Sequence, residues 1–209
     1  MKILVMGPQA SGKGTQAELL SKTFDLPAIS VGGLLRDLPE QHPLYASVRA
    51  DLNAGRLVNT NVAVEVIKER ISQPDCKNGY IMDGWARRTS DIEAFNPEPD
   101  WVLHIVIPRN ESIKRITGRR ICVADGKVYN IYTLPKEELE KCKGDLIQRD
   151  DDTEIAVNKR LEIYQTETIP VVEDFRKKGV LIEIDGMGLP DEVFSRVLSA
   201  LELAEKSKA

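Results

Sequence analysis

Short apolar runs alternate with longer stretches in which apolar side chains recur every three or four positions. Residues 3–6, 80–82, 102–107 and 180–184 are apolar runs too short for helices, and 28–30 is a shorter one. Each is predicted as a strand. The stretches between them have helical spacing. A helix over 13–24 opens directly after a glycine-rich turn. Over 61–72, Val62, Val66 and Ile67 share a face, with Thr60 as the cap. Residues 111–117 follow Asn110, and 154–166 carry Val157, Leu161 and Tyr164 at helical intervals. A final helix begins near Pro190 or Asp191 and aligns Val193, Val197, Leu201 and Ala204. Proline is tolerated in a first helical turn, where its missing N–H has no partner to lose. Strand–helix alternation predicts an α/β fold around a parallel sheet.

Two segments break the rhythm. Residues 30–58 read as a mostly helical insertion with polar joints. Residues 121–150 have no strong helical period and are rich in Asp, Lys and Tyr. Insertions this long within a compact domain carry function or remain disordered. Both read as mobile flaps on the sheet core.

Composition narrows the picture. The 209 residues suffice for one buried core with insertions. A net charge of -4 and a pI near 5.4 argue against a nucleic-acid surface. No apolar run is long enough to span a bilayer, and the apolar part of Met1–Met6 is too short for a signal peptide. The expectation is a cytoplasmic monomer with neither membrane nor nucleic-acid partners. Three cysteines, Cys76, Cys122 and Cys142, do not make a disulfide framework.

The strongest chemical signal lies between the first strand and the first helix. Gly7-Pro8-Gln9-Ala10-Ser11-Gly12-Lys13-Gly14-Thr15 has the Gly-x4-Gly-Lys spacing of a phosphate-binding loop. Glycines let backbone N–H groups converge on phosphates, and the helix N-terminus adds its positive end. Lys13 can then reach a transferring phosphoryl group.

Gly14 stands between Lys13 and Thr15, and this Gly-Lys-Gly-Thr-Gln run resembles nucleoside monophosphate kinases, the adenylate kinase family in particular. Further pieces match in order. Ile29-Ser30-Val31-Gly32-Gly33-Leu34-Leu35-Arg36 and Asn53-Ala54-Gly55-Arg56-Leu57-Val58 look like acceptor-site segments. Asp83-Gly84-Trp85-Ala86-Arg87 looks like the family's Asp-Gly-Phe-Pro-Arg motif. Ile116-Thr117-Gly118-Arg119-Arg120 and Gln148-Arg149-Asp150-Asp151-Asp152 look like the start and end of an ATP lid, and Lys159-Arg160-Leu161 like the arginine helix beyond. The ordered set runs from Met1 through the final helix.

The resemblance implies a three-layer P-loop NTPase core with a parallel sheet, made of 1–29, 59–120 and 151–209. It adds an acceptor-binding flap over 30–58 and an ATP lid over 121–150. It implies phosphoryl transfer from ATP·Mg²⁺ to AMP, with a UMP/CMP-type or broad-acceptor kinase as the alternative. ATP would be held by Ala10, Ser11, Gly12, Lys13, Gly14, Thr15, Arg115, Arg119, Val128, Tyr129 and Gly188, with Arg115 over the base. The acceptor would meet Val31, Arg36, Arg56, Leu57, Val58, Gly84, Trp85, Ala86, Arg87 and Asp91, and also Arg149 and Arg160. Lys13, Arg87, Arg119, Arg149 and Arg160 would be catalytic, because this chemistry needs charge neutralisation and positioning more than a base. Asp83, at a strand end, would hold Mg²⁺ through water. Arg88 and Arg120 read as solvated surface charges. His104 reads as a core residue, and neither it nor His42 is assigned a role.

Cys122-Val123-Ala124-Asp125 and Cys142-Lys143-Gly144-Asp145 form two Cys-x2-Asp pairs where many adenylate kinases carry Cys-x2-Cys. Either Cys122, Asp125, Cys142 and Asp145 bind zinc, weakly because two ligands are oxygens, or the same positions hold a metal-free lid by hydrogen bonds. Other departures concern the substrates. Gln9-Ala10 replaces Pro-Gly, so a positive φ at Ala10 would cost about 1 kcal/mol. Val31 and Gly33 replace Thr and Asp, and Ala86 replaces proline. Asp91 stands where the family's glutamine reads adenine, and a carboxylate only accepts.

Two rivals remain. A regulatory GTPase is disfavoured because Asn158-Lys159-Arg160-Leu161 fails the guanine-reading pattern, and Asp185-Gly186-Met187-Gly188 lies too late for a switch. A non-catalytic nucleotide-binding module fits the departures but leaves the arginine set unexplained.

Overall fold

The computed structural model describes residues 1–53, 56–148 and 154–208. Five parallel strands form the central sheet: β1 (Lys2–Met6), β2 (Ala28–Ser30), β3 (Tyr80–Asp83), β4 (Trp101–Val106) and β8 (Leu181–Asp185). Their order is β2-β3-β1-β4-β8. The strands read as nearly continuous apolar runs because helices cover both faces of the sheet.

Alternate residues serve opposite faces. Leu4, Met6, Ile29, Met82 and Val102 pack with α2 (Val31–Arg36), α4 (Thr60–Ile71) and α9 (Ile169–Lys177). Ile3, Val5, Ile81, Leu103 and Ile105 pack with α1 (Lys13–Phe24) and α10 (Pro190–Lys208). The result is the expected three-layer α/β core. A smaller apolar cluster, Ile116, Val157 and Leu161, joins α6 (Arg109–Thr117) to α8 (Glu154–Ile163).

The irregular segments have structure of their own. Residues 31–53 hold α2 and α3 (Tyr45–Asn53), where the Arg49 guanidinium lies over the Tyr45 ring and donates to the Arg36 carbonyl at 2.8 Å. A second, antiparallel sheet joins β5 (Arg119–Cys122) to β6 (Val128–Asn130) and β7 (Leu146–Ile147), with the short α7 (Lys136–Leu139) beside it. The sequence pattern missed these strands because each is only two to four residues long.

Several expectations are corrected. The cap of α4 is Asn59, whose side chain accepts from the Asn61 N–H at 3.0 Å, while Thr60 bonds elsewhere. The helix read over 154–166 passes through a π-helical turn, Tyr164–Thr168, into α9, which the sequence reading did not separate. A further short helix, α5 (Thr89–Ala94), also went unread. Cys122 and Cys142 are joined by a disulfide across a separation of 20 residues, leaving Cys76 as the free, buried thiol. The zinc proposal for Cys122, Asp125, Cys142 and Asp145 therefore fails in this state, since sulfurs bonded to each other are not thiolates. Among the described residues no three potential metal ligands cluster. No helix among them is long and apolar enough to cross a membrane.

Candidate active site

The loop after β1 is built for close approach. Gly7 has φ 148°, and a side chain there would drive into the Ile105 carbonyl. Gly12, at φ 94°, turns the chain into α1. Ala10 adopts φ 57°, so the left-handed conformation anticipated from the missing glycine is present and carries its strain. Ser11 is buried, and the Ser112 hydroxyl donates to the Gln9 carbonyl, fastening the loop to α6.

Lys13 folds back across this loop, its ammonium donating to the carbonyls of Gly7 at 3.0 Å and Pro8 at 2.7 Å. Burial lowers its pKa to about 8, against the pull of Asp83; Arg87 and Arg119 push the same way as burial. Asp83 ends β3 directly across from Val5 of β1, beside the first turn of α1. Burial raises its carboxyl, opposed by Lys13, Arg87 and Arg36. Its Oδ1 is buried with no hydrogen-bond partner among the described residues.

Arg87 follows a turn in which Gly84 has φ 85° and Ala86 φ 59°. Its Nε donates to the Gly84 carbonyl at 3.1 Å. Burial depresses its pKa, resisted by Asp83, and Arg160 of α8 adds positive charge beside it. Arg36 sits one turn beyond Gly32 on α2, under the field of Asp83. Thus Lys13, Arg36 and Arg87 bear on one carboxylate at the C-terminal edge of the sheet, with Arg119 acting on Lys13 and Arg160 on Arg87. In open parallel sheets ligands settle at this edge, where connections diverge to either side of the first strand.

Other predicted residues are placed differently. Arg56 pairs with Asp51 at 2.9 Å and its side chain is 63% exposed, outside this cluster. Arg115 is held along α6 by Glu111 at 2.8 Å and would have to exchange partners to cover a base. Val31, Val58 and Trp85 are buried, with the Trp85 indole donating to the Phe95 carbonyl at 3.0 Å. Leu57 is half-buried beside them. On the insertion, Val128 is exposed and Tyr129 buried. Gly14 and Thr15 are exposed on α1, and Gly188, at φ 104°, lies in the turn before α10. Arg149 lies outside the described residues.

Sequence reasoning missed three participants. Arg88 is no solvated charge: its Nη2 donates to Thr60 Oγ1 at 3.0 Å and lies 3.2 Å from Asp91 Oδ1. The Thr168 hydroxyl donates to the Arg87 carbonyl at 2.9 Å from the π-helical turn. That turn is tied to the sheet by the Tyr164 hydroxyl, 2.6 Å from His104 Nε2. Burial pushes the His104 pKa down and the Tyr164 pKa up, so both stay neutral near pH 7. Nothing in residue spacing announces a π-turn, so the sequence carried no signal for it.

A phosphate-binding loop facing a buried acidic strand end and ringed by arginines defines a P-loop phosphotransferase. A sequence model described as adenylate kinase matches residues 5–180. The chain is 38% identical to an adenylate kinase of Thermodesulfovibrio yellowstonii, covering 97% of this chain and 99% of the relative. It is 40% identical to one of Streptomyces coelicolor over the same shares, and 38% to one of Archaeoglobus fulgidus over 97% and 98%. The chain belongs to the adenylate kinase family. The non-catalytic alternative is thereby set aside.

Proposed function

We propose that this protein reversibly transfers the terminal phosphoryl group of ATP to AMP, giving two ADP, in the cytoplasm. The observation that carries the reading is the gathering of Lys13, Arg36 and Arg87 around Asp83 at the head of α1, with Arg119 acting on Lys13 and Arg160 on Arg87.

The loop N–H groups and the N-terminal end of α1 receive the ATP phosphates. Lys13 exchanges the Gly7 and Pro8 carbonyls for phosphate oxygens, and the phosphate charge restores its ammonium toward its ordinary pKa. Arg119 and Arg160 neutralise charge spreading over the transferring group, with Arg149 expected to join them. Arg36 and Arg87 hold the acceptor phosphate in line. That acceptor is already anionic, so no side chain need act as a base. The orphaned, buried Oδ1 of Asp83 fits the water shell of Mg²⁺, which would supply further charge neutralisation on the phosphates.

Segments 30–58 and 121–150 act as flap and lid that close over both nucleotides and exclude water. Their separateness supports this: one is a helical pair, the other a small sheet distinct from the central one. The decisive experiment couples ADP formation to a dehydrogenase readout with ATP, Mg²⁺ and AMP, CMP, UMP or GMP. Turnover is expected with AMP. Failure to form a diphosphate from any acceptor would sink the proposal. A bisubstrate analogue should also protect both segments from hydrogen exchange.

A further inference from the structure

Asp91 occupies the position assigned by resemblance to the acceptor base. Its surroundings tell of another use. The residue is 4% exposed, and both carboxylate oxygens are engaged within the protein. Oδ2 accepts the backbone N–H groups of Arg87 and Arg88, each at 3.0 Å. Oδ1 accepts the Thr60 hydroxyl at 2.9 Å and lies 3.2 Å from Arg88 Nη2. An ionised carboxylate offers about four lone-pair sites; three hydrogen-bond donors and the Arg88 guanidinium as an ion-pair partner occupy them. A base amino group could bind only by displacing one donor, which would then be left buried and unpaired.

We propose that Asp91 is a positioning residue for Arg87 and does not read the acceptor base. The Arg87 residue is gripped at both ends of its backbone: its N–H donates to Asp91 and its carbonyl accepts from Thr168. Its Nε is turned onto the Gly84 carbonyl. The need for such restraint lies one residue earlier. Ala86 has φ 59°, a conformation costly for a side chain with a Cβ. Asp91 reaches back from the first turn of α5 to close it, as an acidic residue at the third helical position can. Through Thr60, the first residue of α4, the same carboxylate ties the turn to the point where residues 30–58 rejoin the core. Arg88 completes the lock by bridging Thr60 and Asp91.

The inference rests on the reading that Arg87 grips the acceptor phosphate, which is common to all nucleoside monophosphates. Loss of positioning should therefore weaken every acceptor equally, whereas loss of a base contact would change the preference among them. The test measures kcat and KM with ATP·Mg²⁺ and AMP, CMP, UMP and GMP for wild type, Asp91→Asn, Asp91→Ala and Thr168→Val. In Asp91→Ala, kcat/KM should fall roughly tenfold to a hundredfold by one common factor for each acceptor used, with KM for ATP little changed. Asp91→Asn keeps an oxygen for the two backbone N–H groups and should recover most of that loss. Thr168→Val should act in the same sense by a smaller factor, and combine with Asp91→Ala less than multiplicatively because both act through Arg87.

A change of more than about tenfold in the ratio between AMP and another acceptor, in either Asp91 variant, would overturn the proposal, since that is the size of a lost polar base contact. So would wild-type kinetics in Asp91→Ala. If Asp91→Ala does not fold, Asp91→Asn and Thr168→Val still decide between a common factor and a shifted preference. A wild-type enzyme inert toward every acceptor would overturn the proposed reaction, and this inference with it.

Discussion

The phosphate cradle and the small sheet over residues 119–147 bind the same class of charged ligand in this reading, yet they are constructed in opposite ways. The cradle is held largely by partners distant in sequence, Ser112 on the loop, Thr168 on Arg87 and Asp83 against α1, while Asp91 closes the Arg87 turn locally. It tolerates positive φ at Ala10 and Ala86 because buried packing over-determines both turns. The small sheet is held by short ladders and by the Cys122–Cys142 crosslink, and it leaves Val123, Val128, Tyr132 and Ile147 exposed. In the proposed reading, the region that presents fixed charges is fastened to the core, and the region proposed to open and close is held chiefly by its own ladders and crosslink.

The sharpest break of this contrast is at Lys13. Replacing it by Met removes the cradle's own positive charge, and kcat should fall roughly a thousandfold, with circular dichroism unchanged. A drop of only a few-fold would deny the cradle its role. The same lysine leaves a pH signature. Its folded pKa of about 8 lies below the ordinary lysine value of 10.5, so between those values the unfolded chain holds more protons. Stability should therefore rise with pH across that window relative to Lys13→Met, by on the order of 2 kcal/mol after discounting for the part-exposed side chain. Parallel urea titrations from pH 7 to 10.5 would show it.

The small sheet makes its own prediction. Reducing its disulfide should cost roughly 3 kcal/mol of local stability, read as faster hydrogen exchange over 119–147 with strands β1, β3 and β4 unaffected. Thiol titration of unfolded chain should give one thiol before reduction and three after, matching Cys76 and the bonded pair. The smallest effect is at Ala10. Ala10→Gly should relieve left-handed strain and raise stability by up to about 1 kcal/mol, measurable by thermal unfolding. A loss there would mean that the methyl packs usefully against the apolar group of Ile113, Ile116, Val157 and Leu161.

Much of the core was legible because its signals are local. The helix over 13–24 falls on the residues expected, and the five central strands lie within a residue or so of theirs. Apolar periodicity depends on neighbours one to four positions away, and the phosphate-binding loop needs only its own spacing. The candidate site was half legible. Lys13, Arg36 and Arg87 lie about Asp83, Arg119 acts on Lys13 and Arg160 on Arg87, while Arg56 and Arg115 pair with Asp51 and Glu111.

By itself the sequence determined the layered α/β core, the cradle and the cations available to it, since each follows from residue type and near spacing. Only the tertiary structure decided which of those groups are already spoken for. Thr60 and Asp91 meet across 31 positions, and Arg87 and Thr168 across 81, while the two lid sulfurs join across 20. A hydrogen bond or disulfide between such partners depends on where the packed core carries them, and no local pattern records that.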